Sequence, residues 1–444
     1  MMPQPEYHTF PSGLRLGYLR KPSFPATTIG LYLEGGGCQD PVGKEGTASL
    51  VADLLGRGYD HISPFECAKA LESLGAHFST FSSYQVTGFT LQVLSHHLPT
   101  ALELLHHFFL SPSFPEEELE KEKKVALAHQ VQARQEPYGL LSDAVRILLY
   151  PGKRFQIPPE GDEHSIPRIT REDLIRWYKN YFALSRCCMG IISDKSMEEI
   201  VRLIEEWQDG FPRNAEGPLN YPPLPDLKEP RVFGVHMRVN QVFVQKVGWG
   251  IFRKDKYFNA SRIWNYILGG GLFASRLFRN VRVQQGLVYS IFSQLIAGRE
   301  YPGRFVLSWD THIPNFSSSM ESVESTIQQM VSRGVTAREV RDAQAFFLGS
   351  LPRALQTSGQ WARIILDGFF FDLPPNYWVQ DLEEIRTIPR SYVNSALRNF
   401  FSSRILYTVV VTDLNTASSL FPSNTQLFLT YDSLLPLIRR PEAQ

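Results

Sequence analysis

Residues 46–58 read GTASLVADLLGRG: a turn glycine, a short apolar helix and a stop at Gly56-Arg57-Gly58. Ser49, Ala52 and Asp53 stand there at i, i+3 and i+4, the spacing that puts three side chains on roughly one helical face. A catalytic helix often carries its chemistry at that spacing. Here the face offers a hydroxyl, a methyl and one carboxylate. Ser49 is a poor zinc ligand, Ala52 cannot act as a base, and Asp53 is a single donor. Ser49 is not an activated nucleophile either, since no histidine base stands at a motif spacing from it. The helix is predicted to pack as structure.

Other reactive residues do not make up the loss. In SHHLPTALELLHHFFL (95–110), His96 and His107 share a helix face. Eleven residues of helix separate them by about 16 Å, too far for one ion, so the histidines are expected to be structural. Gly269-Gly270-Gly271 is not followed by Lys-Ser/Thr, so it reads as a tight backbone turn and not a phosphate loop. Cys38, Cys67, Cys187 and Cys188 fit no metal spacing and are too few for a disulfide framework. They are expected to be buried thiols in a reducing compartment.

These residues must be positioned by a chain that is written twice. Its 444 residues exceed one ordinary core. The segment 209–232, DGFPRNAEGPLNYPPLPDLKEPRV, holds six prolines and reads as an extended, exposed linker. Residues 166–194 align without a gap on 385–413 at an offset of 219. Ile166/Ile385, Ile169/Ile388, Arg171/Arg390, Asn180/Asn399, Phe182/Phe401 and Asp194/Asp413 are identical. Each copy reads as a helix leading to a strand and an Asp. FPEEELEKE (114–122) repeats more loosely as VTAREVRDA (335–343), both as helix starts. Period-two strand signals open both halves, at 27–37 and 240–250, and recur at 87–95 and 303–311. The expected fold class is α+β: two homologous halves, 1–209 and 230–444, each a mostly antiparallel sheet layered with helices and joined by the linker at 210–229.

Composition sets outer limits. A 43% hydrophobic and 20% charged chain is of soluble globular type. Lys+Arg and Asp+Glu are 45 each, with no basic stripe, so nucleic acid is not an expected partner. The charge run EEELEKEKK (116–124) reads as a solvated helix face. No segment approaches the roughly 18 apolar residues of a membrane span, and the N-terminus has no signal-peptide pattern. A cytoplasmic protein without a membrane partner is expected.

A helix after a glycine-ended strand near residue 50 of a duplicated α+β chain resembles the pitrilysin and mitochondrial-processing-peptidase family. These are zinc metallopeptidases of the inverted-motif type, H-x-x-E-H. In that register Ser49 falls at the first zinc-ligand His, Ala52 at the general-base Glu and Asp53 at the second His. The third ligand, a Glu, closes an E-x-x-x-x-x-x-E pattern; here the pattern starts at Glu122 and ends on His129. The resemblance thus implies a family member with all four functional residues replaced. No metal is expected on this chain.

The second half resembles the family elsewhere. YILGGGLFASRLFRNVRVQQGLVYSIFSQ (266–294) matches a segment in which an Arg and a Tyr reach toward the metal from the non-zinc half. The matching residues are Arg282 and Tyr289. An Arg and a phenol can stabilise the oxyanion of a peptide carbonyl under attack and hold an extended peptide by its main chain. The resemblance therefore implies a subunit that does not hydrolyse peptides alone. Paired with a homologous H-x-x-E-H chain that supplies zinc and base, it would bind peptide substrate and complete the site. The alternatives are a structural or assembly protein and a peptide-binding homodimer without hydrolysis.

Overall fold

The structure, a computed structural model, describes residues 3–438. Its first half opens with strands β1 (Glu6–Thr9), β2 (Arg15–Arg20) and β3 (Ala26–Glu34), followed by helices α1 (Thr47–Leu54) and α2 (Pro64–Ser73). A hairpin of β4 (His77–Ser82) and β5 (Val86–Leu94) leads to α3 (Leu98–Leu110), α4 (Glu116–Gln135) and α5 (Pro137–Leu149). Helix α6 (Arg171–Tyr181), strand β6 (Cys187–Ser193) and α7 (Met197–Trp207) complete it.

The second half begins with β7 (Val232–His236), β8 (Gln241–Trp249), the short β9 (Ile251–Phe252) and α8 (Phe258–Asn265). Then come β10 (Ser290–Leu295), the short β11 (Ala297–Gly298), β12 (Arg304–His312) and helices α9 (Phe316–Arg333), α10 (Ala337–Ala354) and α11 (Ser358–Phe370). It closes with α12 (Tyr377–Thr387), α13 (Arg390–Ser403), β13 (Tyr407–Thr412), α14 (Leu414–Ala417) and β14 (Gln426–Phe428).

The two segments that match at an offset of 219 form the same pair of elements, α6 leading to β6 and α13 leading to β13. The first sheet runs β1-β2-β6-β3-β5-β4 and the second β14-β7-β13-β8-β12-β10. In each, the strand from the repeat lies between a parallel neighbour (β2 or β7) and an antiparallel one (β3 or β8). The fold is α+β, with two mostly antiparallel six-stranded sheets. Both central strands, CCMGIIS and YTVVVT, are buried at every residue, as strands covered on both faces must be. The two short strands β9 and β11 pair only with each other.

Each sheet is covered on one face by its own helices. Leu31 and Phe89 of the first sheet share a core with Leu174 and Trp177 of α6. The opposite face is covered by a helix from the other half. Helix α11 lies on β6, β3 and β2, and α5 lies on β13 and β8. Leu19 and Ile192 pack with Trp361 and Ile365, while Leu141 and Leu148 pack with Val235 and Val409. The exchange rests on a row of glycines: Gly17 pairs with Gly190, and Gly190 with Gly30. A Cβ at Gly17 would stand 2.3 Å from Ile365, and one at Gly30 would stand 2.7 Å from Leu366. Three missing side chains make the trough in which α11 sits.

Between Trp207 and Val232 there is neither helix nor strand. The expected exposure of this linker holds only in part, because Leu227 is buried and Tyr221 and Leu224 pack on the core beneath it. These three apolar residues are spaced by three, the period of a polyproline II helix, which presents them on one side. Cys187 and Cys188 lie in β6, and all four cysteines are buried and unpaired. Among the described residues no helix is long and apolar enough to cross a membrane.

Candidate functional site

Helix α1 is held at its start by a residue outside it. The Asp40 carboxylate accepts from the backbone N–H groups of Gly46 (2.8 Å) and Ala48 (2.9 Å), satisfying donors a helix start leaves unpaired. Arg154 donates to the same carboxylate at 3.1 Å, and to the carbonyls of Gly37 and Ile157. Gly46 has φ 106°, and a Cβ there would stand 2.6 Å from the Glu160 carbonyl. The turn glycine at the head of GTASLVADLLGRG thus sets α1 directly against the loop at Glu160.

Helices α1 and α4 pack together and bring the sequence-predicted residues partly into one place. Ser49, Asp53 and His129 line a cavity of about 580 Å3, with Glu122, Gln130 and Glu160. Ala52 does not line it: this residue is fully buried, its methyl packed into the interior. The face expected at 49, 52 and 53 is therefore narrower than drawn, with only Ser49 and Asp53 turned to the cavity. Burial pushes the Asp53 carboxyl up to about 6, helped by the negative charges of Glu122 and Glu160. A hydrogen bond from Ser49 and the charge of Arg57 oppose the rise, and Arg57 also stands 3.5 Å from Glu122.

These residues do not fit zinc. The Ser49 hydroxyl is turned to Asp53, the base position holds a buried methyl, and His129 lies on the exposed side of α4. Among the described residues no group of three or more His, Cys, Asp and Glu is placed to hold a metal ion. Zinc hydrolysis needs three held ligands and a base at an open position, and this set has neither.

The segment 266–294 is irregular, with π-helical turns at Tyr266–Gly270 and Phe278–Gln284 before β10. Its three arginines differ. Arg276 binds Glu339 through two nitrogens at 2.7 Å each, and Arg279 lies 3.5 Å from the same carboxylate. Burial would raise the Glu339 carboxyl, but Arg276 and the Thr336 cap hold it down at about 2. Arg282 has no acidic partner among the described residues. It is exposed, and its guanidinium lies 4.7 Å from the centre of the Phe278 ring.

Tyr289 is 43% exposed. Its hydroxyl is hydrogen-bonded to Nε2 of His312 and its ring meets that imidazole edge-on at 4.9 Å. His312 carried no spacing that would mark it in the sequence, because its place beside Tyr289 comes from the pairing of β10 with β12. Neither Arg282 nor Tyr289 lines the cavity at Ser49 and Asp53. Within one chain the two sequence-predicted clusters are separate. Of the histidines of residues 95–110, two are tied to the scaffold: His106 bonds the Trp207 carbonyl at 2.7 Å and His107 stacks on Tyr59. His96, by contrast, is exposed in a 3-10 turn ahead of α3 and does not share that helix with His107.

A duplicated α+β chain with a remnant metal helix in one half and an Arg/Tyr segment in the other defines a class, the two-half metallopeptidase fold without its metal ligands. Comparison with known proteins gives the family. Residues 17–155 match the model described as insulinase (peptidase family M16), and residues 168–347 match the one described as the peptidase M16 inactive domain. The chain belongs to peptidase family M16. It is 24% identical over 378 residues to a Helicobacter pylori protein named as a non-peptidase homolog, YmxG, covering 84% of this chain and 86% of that one. It is 22% identical over 356 residues to a Bacillus subtilis protein named as an uncharacterized zinc protease, covering 79% and 84%. Among solved structures, a peptidase M16 inactive domain from Pseudomonas fluorescens superposes with a TM-score of 0.83 at 22% identity, over 92% of this chain and 98% of that one.

Proposed function

We propose that this chain is the non-hydrolytic subunit of a two-subunit M16 peptidase, pairing with a homologue that carries an intact H-x-x-E-H. The partner supplies zinc and base. This chain binds the peptide and contributes Arg282 and Tyr289 to the oxyanion that forms on the scissile carbonyl. The observation that carries the reading is the contrast among neighbours: Arg276 and Arg279 are tied to Glu339, whereas Arg282 is exposed with no acidic partner among the described residues. The loss of chemistry at Ser49, Ala52, Asp53 and His129 supports it, as do the names of the Helicobacter relative and the Pseudomonas structure. Four buried, unpaired cysteines support a reducing, cytoplasmic setting.

Reconstitution tests it. The chain alone is expected to carry no stoichiometric zinc by elemental analysis and to cleave no peptide. Mixed with an H-x-x-E-H homologue it should raise cleavage well above the homologue alone. Equal cleavage with and without this chain, or chelator-sensitive cleavage by this chain alone, overturns the reading. The cavity at Asp53 favours a second one, a homodimer that binds peptide or serves assembly without hydrolysis. Sedimentation with and without the homologue separates the two.

A further inference from the structure

A second cavity, of about 600 Å3, lies in the seam between the halves. The first half contributes Tyr84, Arg146, Tyr150 and Phe155; the second contributes the loop at 298–304 and Phe370–Phe371. Asp143 and Glu160 line both this cavity and the one at Asp53, so the two adjoin.

Three arginines line it, and two are occupied. Arg146 donates to Asp143 at 2.7 Å and to the Gln156 carbonyl. Arg299 is paired with Glu34 and with Glu300. The Arg304 guanidinium has neither a hydrogen bond nor an acidic partner among the described residues. The same cavity is lined by Tyr150, only 9% exposed, its ring held between Phe155 and Trp249 at 5.3 and 5.2 Å. The Tyr150 hydroxyl has no hydrogen bond among the described residues, yet it is not sealed away from the cavity. Burial raises this phenol's pKa, and Arg304 is near enough for its charge to oppose the rise.

A guanidinium and a phenol O–H on the walls of one open cavity, with no protein acceptor among the described residues, are donors that a ligand's oxygens can take over from water. A planar carboxylate suits them: it offers two oxygens and the single charge that one free cation balances. A doubly charged anion suits them poorly, because Asp143 and Glu160 stand in the same cavity. Aromatic side chains, Tyr84, Phe155 and Phe370, form part of the remaining wall around the space a ligand body would fill.

We propose that the seam cavity binds a carboxylate carrying an apolar or aromatic body, with Arg304 and Tyr150 donating to the carboxylate and the aromatic side chains enclosing the body. Two sources share that chemistry, a small aromatic acid and the C-terminal residue of a peptide. Calorimetric titration of the full chain separates them, using N-acetyl-phenylalanine, its amide, and the tetrapeptide Ala-Ala-Ala-Phe with a free or an amidated carboxyl end. Each free acid that binds should lose about tenfold or more in affinity on amidation, and likewise in Arg304→Gln and Tyr150→Phe, the scale of a lost charge-assisted hydrogen bond. Arg304→Lys, which keeps the charge, should lose less. Thermal unfolding of each variant should stay close to that of the parent. Tighter binding of the acetylated residue assigns a small acid and tighter binding of the tetrapeptide assigns a peptide end; either supports the site. Equal binding of acid and amide, unchanged affinity in a folded Arg304→Gln, or no binding of either free acid at millimolar concentration overturns it.

Discussion

The Tyr138 phenol, on α5 of the first half, donates to the carboxylate of Asp310, on β12 of the second, at 2.9 Å. The same carboxylate oxygen takes the Ser290 hydroxyl, and the Tyr138 ring meets Phe243 edge-on at 5.1 Å. The Asp310 backbone carbonyl accepts from the Tyr289 N–H at 3.0 Å. One bonded chain therefore runs from the exchanged helix to the strand that begins beside Tyr289. Tyr138→Phe keeps the ring and removes the donor. Its expected cost is about 0.5–1.5 kcal/mol in urea unfolding, toward the lower figure because Tyr138 is partly exposed. Asp310→Ala strands Ser290 as well as Tyr138 and should cost more. No loss in Tyr138→Phe would mean that the phenol adds nothing across the seam.

The exchange of α5 and α11 predicts that the halves depend on each other. Expressed alone, residues 1–209 would leave Leu19, Ile192 and the glycine trough uncovered, and α5 without the sheet it packs on. Residues 230–444 would leave α11 without its trough. Neither half is expected to show near-ultraviolet circular dichroism of the native kind, whereas co-expression should recover it. Cooperative unfolding of either isolated half near the midpoint of the whole chain contradicts this.

The duplication was legible because both copies keep apolar residues at the positions that face their helices, together with the identical Asn, Phe and Asp of the α6–β6 and α13–β13 pairs. The exchange was not, since an amphipathic helix states which of its faces is buried but not which sheet buries it. Its trace lay in Gly17, Gly30 and Gly190, three strand glycines that meet only once the strands are in register. In the candidate site, the glycine frame of residues 46–58 located α1 correctly. Helical spacing alone did not show that Ala52 turns inward, because a three-residue face spans more of the helix than the cavity meets. Glu160 joins the site only through the close approach of its loop to Gly46.

Asp53 gives a pH prediction whose sign is fixed by its surroundings. Its carboxyl titrates near 6 in the folded chain, against about 3.9 in an unfolded one. A raised acid favours the folded state when protonated, so its contribution worsens as pH rises from about 4 to 6 and is level beyond. Asp53→Asn removes that penalty. The variant should be more stable than the parent at pH 8, by about 1–2 kcal/mol once the partly exposed group is discounted for solvent screening, and equal to it near pH 4. Denaturant titrations at the two pH values measure the difference. A variant less stable at both would show that the bond between Ser49 and Asp53 outweighs the charge of Glu122 and Glu160.

The arginines of residues 276–282 carry the sharpest test, because neighbours of one type are expected to fail in different ways. Arg276→Ala breaks a largely buried pair and leaves Glu339 without the partner that holds its carboxyl down, a loss of about 3–5 kcal/mol for such pairs. It should lower thermal stability, and activity only in proportion to the folded fraction. Arg282→Ala removes an exposed side chain whose contact is the Phe278 ring, so its stability should change by about 0.5 kcal/mol or less. With an H-x-x-E-H homologue present, however, Arg282→Ala and Tyr289→Phe should each cut kcat/KM by about 100- to 1,000-fold, the scale of one oxyanion donor. Peptide affinity should fall less than turnover, because the charge these donors meet grows mainly in the transition state. The double variant should lose less than the product of the single losses if the two donors serve one oxyanion. His312→Ala frees the Tyr289 hydroxyl without removing it, so its loss should be smaller than that of Tyr289→Phe. Normal turnover in folded Arg282→Ala and Tyr289→Phe would place the function of this chain elsewhere.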